Sequence, residues 1–198
     1  MKIHLASSRP IGERCKVWAQ SRLAPGCELT DDPEACDVFL SVLYAHLVSE
    51  QFIEGRRCYN FHPGILPAYR GAGAFSWSII NGDKVCGVTL HELETDIDSG
   101  PILDIKTFSI EAWDDAESLY TKGMEAIYGL FCRWWTRLSN PDWHGRGQPQ
   151  DEAQARIYYR KDLQKQRDLT RLVRAFSFGG KEPAYYVDRQ GVQHELKW

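Results

Sequence analysis

Arg57-Cys58-Tyr59-Asn60-Phe61-His62-Pro63-Gly64 reads as a strand that runs into a turn. Residues 57–61 are rich in β-favouring side chains, and Pro63-Gly64 cannot continue a ladder. The period of two puts the Asn60 and His62 side chains on one face, at the strand's carboxyl end. Upstream, residues 36–43 (CDVFLSVL) form a buried, strand-like run that leads into a short amphipathic helix, 49–54, closed by Gly55. Further out, residues 2–6 are a short apolar strand ended by Ser7-Ser8-Arg9-Pro10. Residues 14–23 carry helical spacing through Cys15, Val17, Trp18 and Leu23 and stop at Pro25-Gly26. Strands alternating with helical turns predict an α/β fold with a Rossmann-like, mainly parallel sheet and flanking helices. In such sheets ligands bind in the crevice beyond the carboxyl ends of the strands, where Asn60 and His62 lie.

Downstream, residues 71–81 suit a helix ending at Asn81-Gly82. Residues 86–93 alternate, with Val88 and Leu90 on one face and Thr89 and His91 on the other. Residues 102–110 alternate more loosely, and the two segments flank Glu94-Thr95-Asp96-Ile97-Asp98-Ser99-Gly100 like the arms of a hairpin. A long helix is expected from Asp114, its candidate N-cap, with Glu117 three residues on. Its apolar stripe runs from Leu119 through Ile127 and Phe131 to Leu138. Residues 141–155, rich in Gly, Pro and Gln, read as a linker. After them a short helix over 168–176 and a hairpin, 184–187 with 192–196, turning at Asp188-Arg189-Gln190-Gly191, make a small C-terminal helix-plus-hairpin appendage. The expected organisation is a main domain over 1–140, a linker over 141–155 and an appendage over 156–198.

A chain of 198 residues with 43% hydrophobic content can bury one compact core, and seven Trp argue against disorder. A net charge of −3 gives no global reason to bind nucleic acid or an acidic membrane. No apolar run reaches the roughly 18 residues of a membrane span, and Met1 leads straight into structure, so a cytoplasmic location is expected. The six cysteines have no C-x-x-C spacing, which argues for reduced thiols and against structural zinc.

Asn60, His62 and Asp98 of Asp98-Ser99-Gly100-Pro101 offer an amide, an imidazole and a carboxylate. Together they can stabilise an oxyanion, move a proton and orient the imidazole, as acyl transfer to an amine requires. Each alone has a plainer reading: a turn cap, a satisfied polar group, a turn residue. A metal reading of His62, His91, Asp96 and Asp98 fits no standard spacing, so no metal is expected. Gly71-Ala72-Gly73 follows a loop and lacks the third Gly of a dinucleotide fingerprint.

Asn60-x-His62-Pro63-Gly64-x-Leu66-Pro67-x-Tyr69-Arg70-Gly71, then Asn81-Gly82, Gly87-Val88-Thr89-x-His91 and Asp98-Ser99-Gly100-Pro101-Ile102-Leu103, resembles the formyltransferases that use N10-formyltetrahydrofolate. The resemblance is specific over residues 57–130. It implies that Asn60, His62 and Asp98 are catalytic, with Asn60 and a protonated His62 on the oxyanion and Asp98 holding His62 and assisting proton transfer. It implies a pterin pocket between Tyr44, Ala45, His46 and Leu47 on one side and Glu94, Thr95, Asp96 and Ile97 on the other, read mainly by backbone. Tyr44 serves equally as a cavity wall or a core aromatic. Substrate contacts are expected from Tyr69, Arg70, Gly71 and His91. Only 59 residues precede Asn60, so the first lobe is expected to be a truncated version of the doubly wound half, lacking one or more β-α units.

The resemblance of Tyr69-Arg70-Gly71, Arg160-Lys161 and residues 169–176 to sugar N-formyltransferases makes an amino-sugar nucleotide the leading acceptor. The basic residues of 156–174 would either meet a nucleotide diphosphate or form a solvated helix face. Three competitors stand beside this reading: a methionyl-tRNA formyltransferase, a formyltetrahydrofolate hydrolase, and a degenerate, non-catalytic folate- or nucleotide-binding protein. Trp134 and Trp135, on adjacent helix faces, suggest a partner subunit and a homodimer.

Overall fold

The computed structural model describes residues 1–179, 183–188 and 190–196; the expected turn residue Arg189 lies outside them. A six-stranded sheet in the order β2-β1-β3-β4-β6-β7 organises the chain. Its strands are β1 (Lys2–Ala6), β2 (Glu28–Leu29), β3 (Val38–Val42), β4 (Arg57–His62), β6 (Val85–Glu92) and β7 (Ile102–Ser109). The ladders β1–β2, β1–β3 and β3–β4 are parallel, while β4–β6 and β6–β7 are antiparallel. The fold is therefore mixed α/β: a short parallel half of Rossmann type, closed on one side by the β6–β7 hairpin. A two-residue strand, β5 (Arg70–Gly71), pairs away from this sheet with β8 (Ile157–Tyr158).

Alternation along β3 divides the core. Val38, Leu40 and Val42 join a large cluster with helices α1 (Pro10–Gln20), α3 (Ala74–Asn81), α4 (Ala116–Leu138) and α5 (Leu169–Phe176). Phe39 points the other way, into a small cluster with Ala6, Cys36 and Cys58 beneath Phe52 and Ile53 of the one-turn helix α2 (Glu50–Ile53). Leu163, Leu172, Ala175, Phe176 and Ala184 of the C-terminal segment belong to the large cluster, so that segment shares the main core. It ends in the hairpin of β9 (Tyr185–Val187) and β10 (Gln193–Glu195).

Two local expectations change. α1 begins at Pro10, not residue 14, because proline without an N–H is well suited to the first helical position. The cap of α4 is Asp115, whose extended backbone lets its carboxylate and the Ser118 hydroxyl form a reciprocal capping box. Asp114 is instead buried, accepting from Lys122 Nζ at 2.6 Å and from the Ser118 hydroxyl at 2.8 Å. The indole N–H groups of the two adjacent tryptophans find acceptors within the chain: Trp135 is buried and donates to the Arg22 carbonyl at 2.8 Å, and Trp134 donates to Asp104 at 2.7 Å. All six thiols are unpaired, and burial pushes Cys58 up to about 12. No helix among the described residues is long and apolar enough to cross a membrane.

Candidate active site

β4 sets the site. The parallel register of β3 and β4 places Ser41 beside Asn60, and the antiparallel register of β4 and β6 places His91 on Asn60's other side. The Ser41 hydroxyl donates to Asn60 Oδ1 at 2.7 Å, which turns the amide nitrogen towards His91 and Asp98. Asn60 Nδ2 lies 3.1 Å from His91 Nε2 and 3.4 Å from Asp98 Oδ1. His91 Nδ1 sits 2.7 Å from the Glu92 carbonyl, which only accepts; Nδ1 therefore carries the proton and Nε2 accepts from Asn60.

His62, only 3% exposed, has an acceptor at each ring nitrogen. Nε2 donates to the Tyr69 carbonyl at 2.7 Å, and Nδ1 lies 3.3 Å from Asp98 Oδ2. The neighbouring loop is fixed from β6, where the Thr89 hydroxyl donates to the Gly64 carbonyl at 2.6 Å and accepts from Leu66 N–H at 3.1 Å. Asp98 closes the group from the β6–β7 loop with a left-handed backbone, φ +49°, and its Oδ2 accepts from Gly71 N–H at 2.8 Å. Aspartate tolerates that conformation better than most residues, but the strain persists only where surrounding contacts hold it. Leu43, at the exit of β3, is also left-handed at φ +54°.

Burial and charge pull against each other here. Burial pushes the His62 imidazole below its ordinary pKa, with the Asp98 carboxylate opposing. Burial acts to raise Asp98 too, but the His62 ring and the Gly71 N–H outweigh it and hold the carboxyl well below the usual range. The carboxylate is thus ionised, while burial acts against charge on the imidazole.

The structure brings Asn60, His62 and Asp98 together as expected. His91, expected to touch substrate, is fully buried behind Asn60, because β6 is an interior strand covered on both faces. Arg70, also expected at the substrate, is 6% exposed; its guanidinium is taken by Gln150 and Glu152. Gly71 contributes its N–H to Asp98, and a Cβ there would come 2.4 Å from the Tyr158 carbonyl. Tyr69 lines a cleft of about 600 Å³ with Asn81, Asp83, Arg156 and Tyr158; its ring stacks on Tyr158 and its hydroxyl bonds Asp83. Tyr44, Ala45, His46 and Leu47 form an exposed rim after β3, and Glu94, Thr95, Asp96 and Ile97 an exposed rim after β6. Val48 and Leu93, at the inner ends of the two rims, pack on the same small cluster. Sequence reasoning missed Ser41 and Gln150, whose roles depend on register and on a long-range contact.

Comparison with known proteins shows the family. Residues 21–133 match the family model described as formyl transferase. A dTDP-4-amino-4,6-dideoxyglucose formyltransferase of Mycobacterium bovis is 40% identical over 92 residues, 46% of this chain and 39% of the relative. A methionyl-tRNA formyltransferase of Pseudothermotoga lettingae is 30% identical over 140 residues, 70% of this chain and 42% of the relative. The chain therefore spans well under two-thirds of these curated relatives. A sugar N-formyltransferase from a Shewanella species superposes with a TM-score of 0.84 at 19% identity, covering 100% of this chain and 97% of that one. A 4-N formyltransferase from Francisella tularensis gives 0.83 at 16% identity, covering 100% and 96%, so the fold is shared in full. Since the matched residues span more than half of its length, this chain belongs to the formyl transferase family.

Proposed function

We propose that this chain is an N-formyltransferase that moves a formyl group from N10-formyltetrahydrofolate to a primary amine on a nucleotide-linked amino sugar. The observation that carries the reading is the convergence of Asn60 and His62 on Asp98, at 3.4 and 3.3 Å, at the carboxyl end of β4. In this reading the neutral amine attacks the formyl carbon, forming a C–N bond and an oxyanion. Asn60 Nδ2 and the His62 N–H stabilise that oxyanion; in the resting site the same donors are spent on His91, Asp98 and the Tyr69 carbonyl, and the reacting oxygen takes over from one of these acceptors. The extra proton on the amine passes, with Asp98 and His62 assisting, to N10 of the folate. The bond from N10 to the formyl carbon then breaks, releasing the formamide and tetrahydrofolate.

The rims over 44–47 and 94–97 are assigned to the pterin, held largely by backbone groups. The cleft lined by Tyr69, Asn81, Asp83, Arg156 and Tyr158 is assigned to the acceptor, since the Tyr69 carbonyl joins it to His62. An amino-sugar acceptor is supported by the name of the Mycobacterium bovis relative and by near-complete overlap with sugar N-formyltransferase folds.

The test is to incubate the protein with N10-formyltetrahydrofolate and a panel of amino-sugar nucleotides, with initiator methionyl-tRNA and an amine-free control in parallel. Formamide from an amino sugar, abolished in His62→Ala, is the expected result. Formylation of the tRNA alone, or formate released without any amine, would replace the acceptor. Equal rates for wild type and His62→Ala would sink the mechanism.

A further inference from the structure

The stretch 147–156 is pinned across the site. Gly147 N–H donates to Glu92 Oε1 at 2.7 Å, Gln148 exchanges backbone hydrogen bonds with Ile102 at 2.8 Å, and the Arg156 carbonyl accepts from Arg70 N–H at 2.9 Å. In the middle, Gln150 Nε2 donates to the carbonyls of both Asp98, at 2.8 Å, and Gly100, at 2.7 Å. Its Oε1 accepts from Arg70 Nε at 3.1 Å and Nη2 at 2.9 Å. Arg70 is in turn fixed by Glu152, at 3.0 and 2.6 Å.

These partners leave the amide one orientation. A guanidinium only donates and a carbonyl only accepts, so Oε1 must face Arg70 and Nε2 must face the loop. The loop so gripped is the one in which Asp98 holds a left-handed φ of +49°. Gly71, next in sequence to Arg70, donates to the Asp98 carboxylate from the other side. The backbone of Asp98 is thus clamped by one end of the Arg70 relay and its side chain by the neighbouring residue.

We infer that Gln150, oriented by Arg70, is a positioning residue of the formyl-transfer centre: by bridging the carbonyls of Asp98 and Gly100 it sets the Asp98 carboxylate against His62. It touches no reacting atom in this assignment, which rests on the function proposed above. Neither an acid nor a purely apolar side chain reproduces it. Glutamate keeps the Arg70 contact but turns both donors into acceptors, and methionine keeps the volume but loses both halves. A geometric error of about 1 Å at the carboxylate is enough for a loss on the order of 100-fold.

Gln150→Met and Gln150→Glu should each lower kcat by about 10- to 100-fold while both KM values stay within about threefold. In the resting protein, the NMR titration of the His62 ring should move in Gln150→Met, a change without added charge. A simple loss of stability would lower the melting temperature and leave that titration in place. If Gln150→Met does not fold, Gln150→Glu, with the Arg70 contact retained, reads the same kcat loss. Wild-type kcat together with a wild-type His62 titration in a folded variant overturns the inference. An inactive wild type whose His62 titration still shifts in Gln150→Met sinks the formyl-transfer reading and supports the positioning role.

Discussion

Both ring nitrogens of His62 and His91, and both ends of the Asn60 amide, have partners within the chain, whereas Leu47 is 88% exposed and residues 94–97 all face solvent. The two regions sit a few residues apart, one on strand ends and the other on the loops that leave them. Interior strands hold side chains in register with their neighbours, so β3, β4 and β6 fix Ser41, Asn60 and His91 together. The exposed loops at the rim carry no such register constraint. In the proposed function most of the chemistry is pre-organised in the sheet, with Asp98 brought in by a pinned loop, and recognition is left to the edges.

The sharpest way to break this contrast is inside the centre. Asn60→Ala should lower kcat by about 10²–10³, the usual cost of one oxyanion donor, with little change in either KM; steady-state rates with donor and acceptor varied in turn decide it. Ser41→Ala tests whether the register itself matters. Loss of its bond to Asn60 Oδ1 should cost roughly 1 kcal/mol of stability and about a fivefold drop in kcat, read by denaturant melts and by turnover.

Acid should find the centre before the rim. His62 is held below its unfolded value of about 6.5, so the unfolded chain binds that proton first and stability falls as pH drops through that value. Asp98, held below its unfolded value of about 3.9, stabilises fully above that value and loses its contribution as pH falls further towards its depressed folded value. The melting temperature should therefore decline from pH 7 to pH 5. His62→Asn should flatten that part of the curve, and an equally steep decline in the variant would remove His62 as its source. The smallest effect is expected at the rim, where Leu47→Ala should leave the melting temperature unchanged and raise KM for the formyl donor by about two- to fivefold at constant kcat.

The same contrast explains what the sequence made legible. Asn60 and His62 could be placed because period two and a Pro-Gly stop are local signals, and the left-handed backbone at Asp98 sits in a turn-rich run before Gly100-Pro101. Ser41 carried no signal in its own segment; it matters only because β3 pairs in parallel with β4. Gln150 was hidden by composition, since a Gly-, Pro- and Gln-rich stretch reads as a linker when its partners lie about fifty residues away. Arg70 and His91 looked like substrate contacts because polar residues near a motif invite that reading, yet both face inward to support it. Asp114 and Asp115 show a finer limit, in that two adjacent aspartates offer the same capping chemistry and only backbone geometry chooses between them.

In the proposed function the Tyr69 carbonyl, 2.7 Å from His62 Nε2, is a tethered rival for the proton that a substrate oxygen would use. A group held on the same chain competes at an effective concentration far above that of any dilute metabolite. Apparent affinity is then the intrinsic affinity scaled by the fraction of time the carbonyl stands aside. In the proposed function the imidazole, 3% exposed, waits between turnovers with its N–H spent on the chain's own backbone, and a reacting oxygen has to displace that carbonyl.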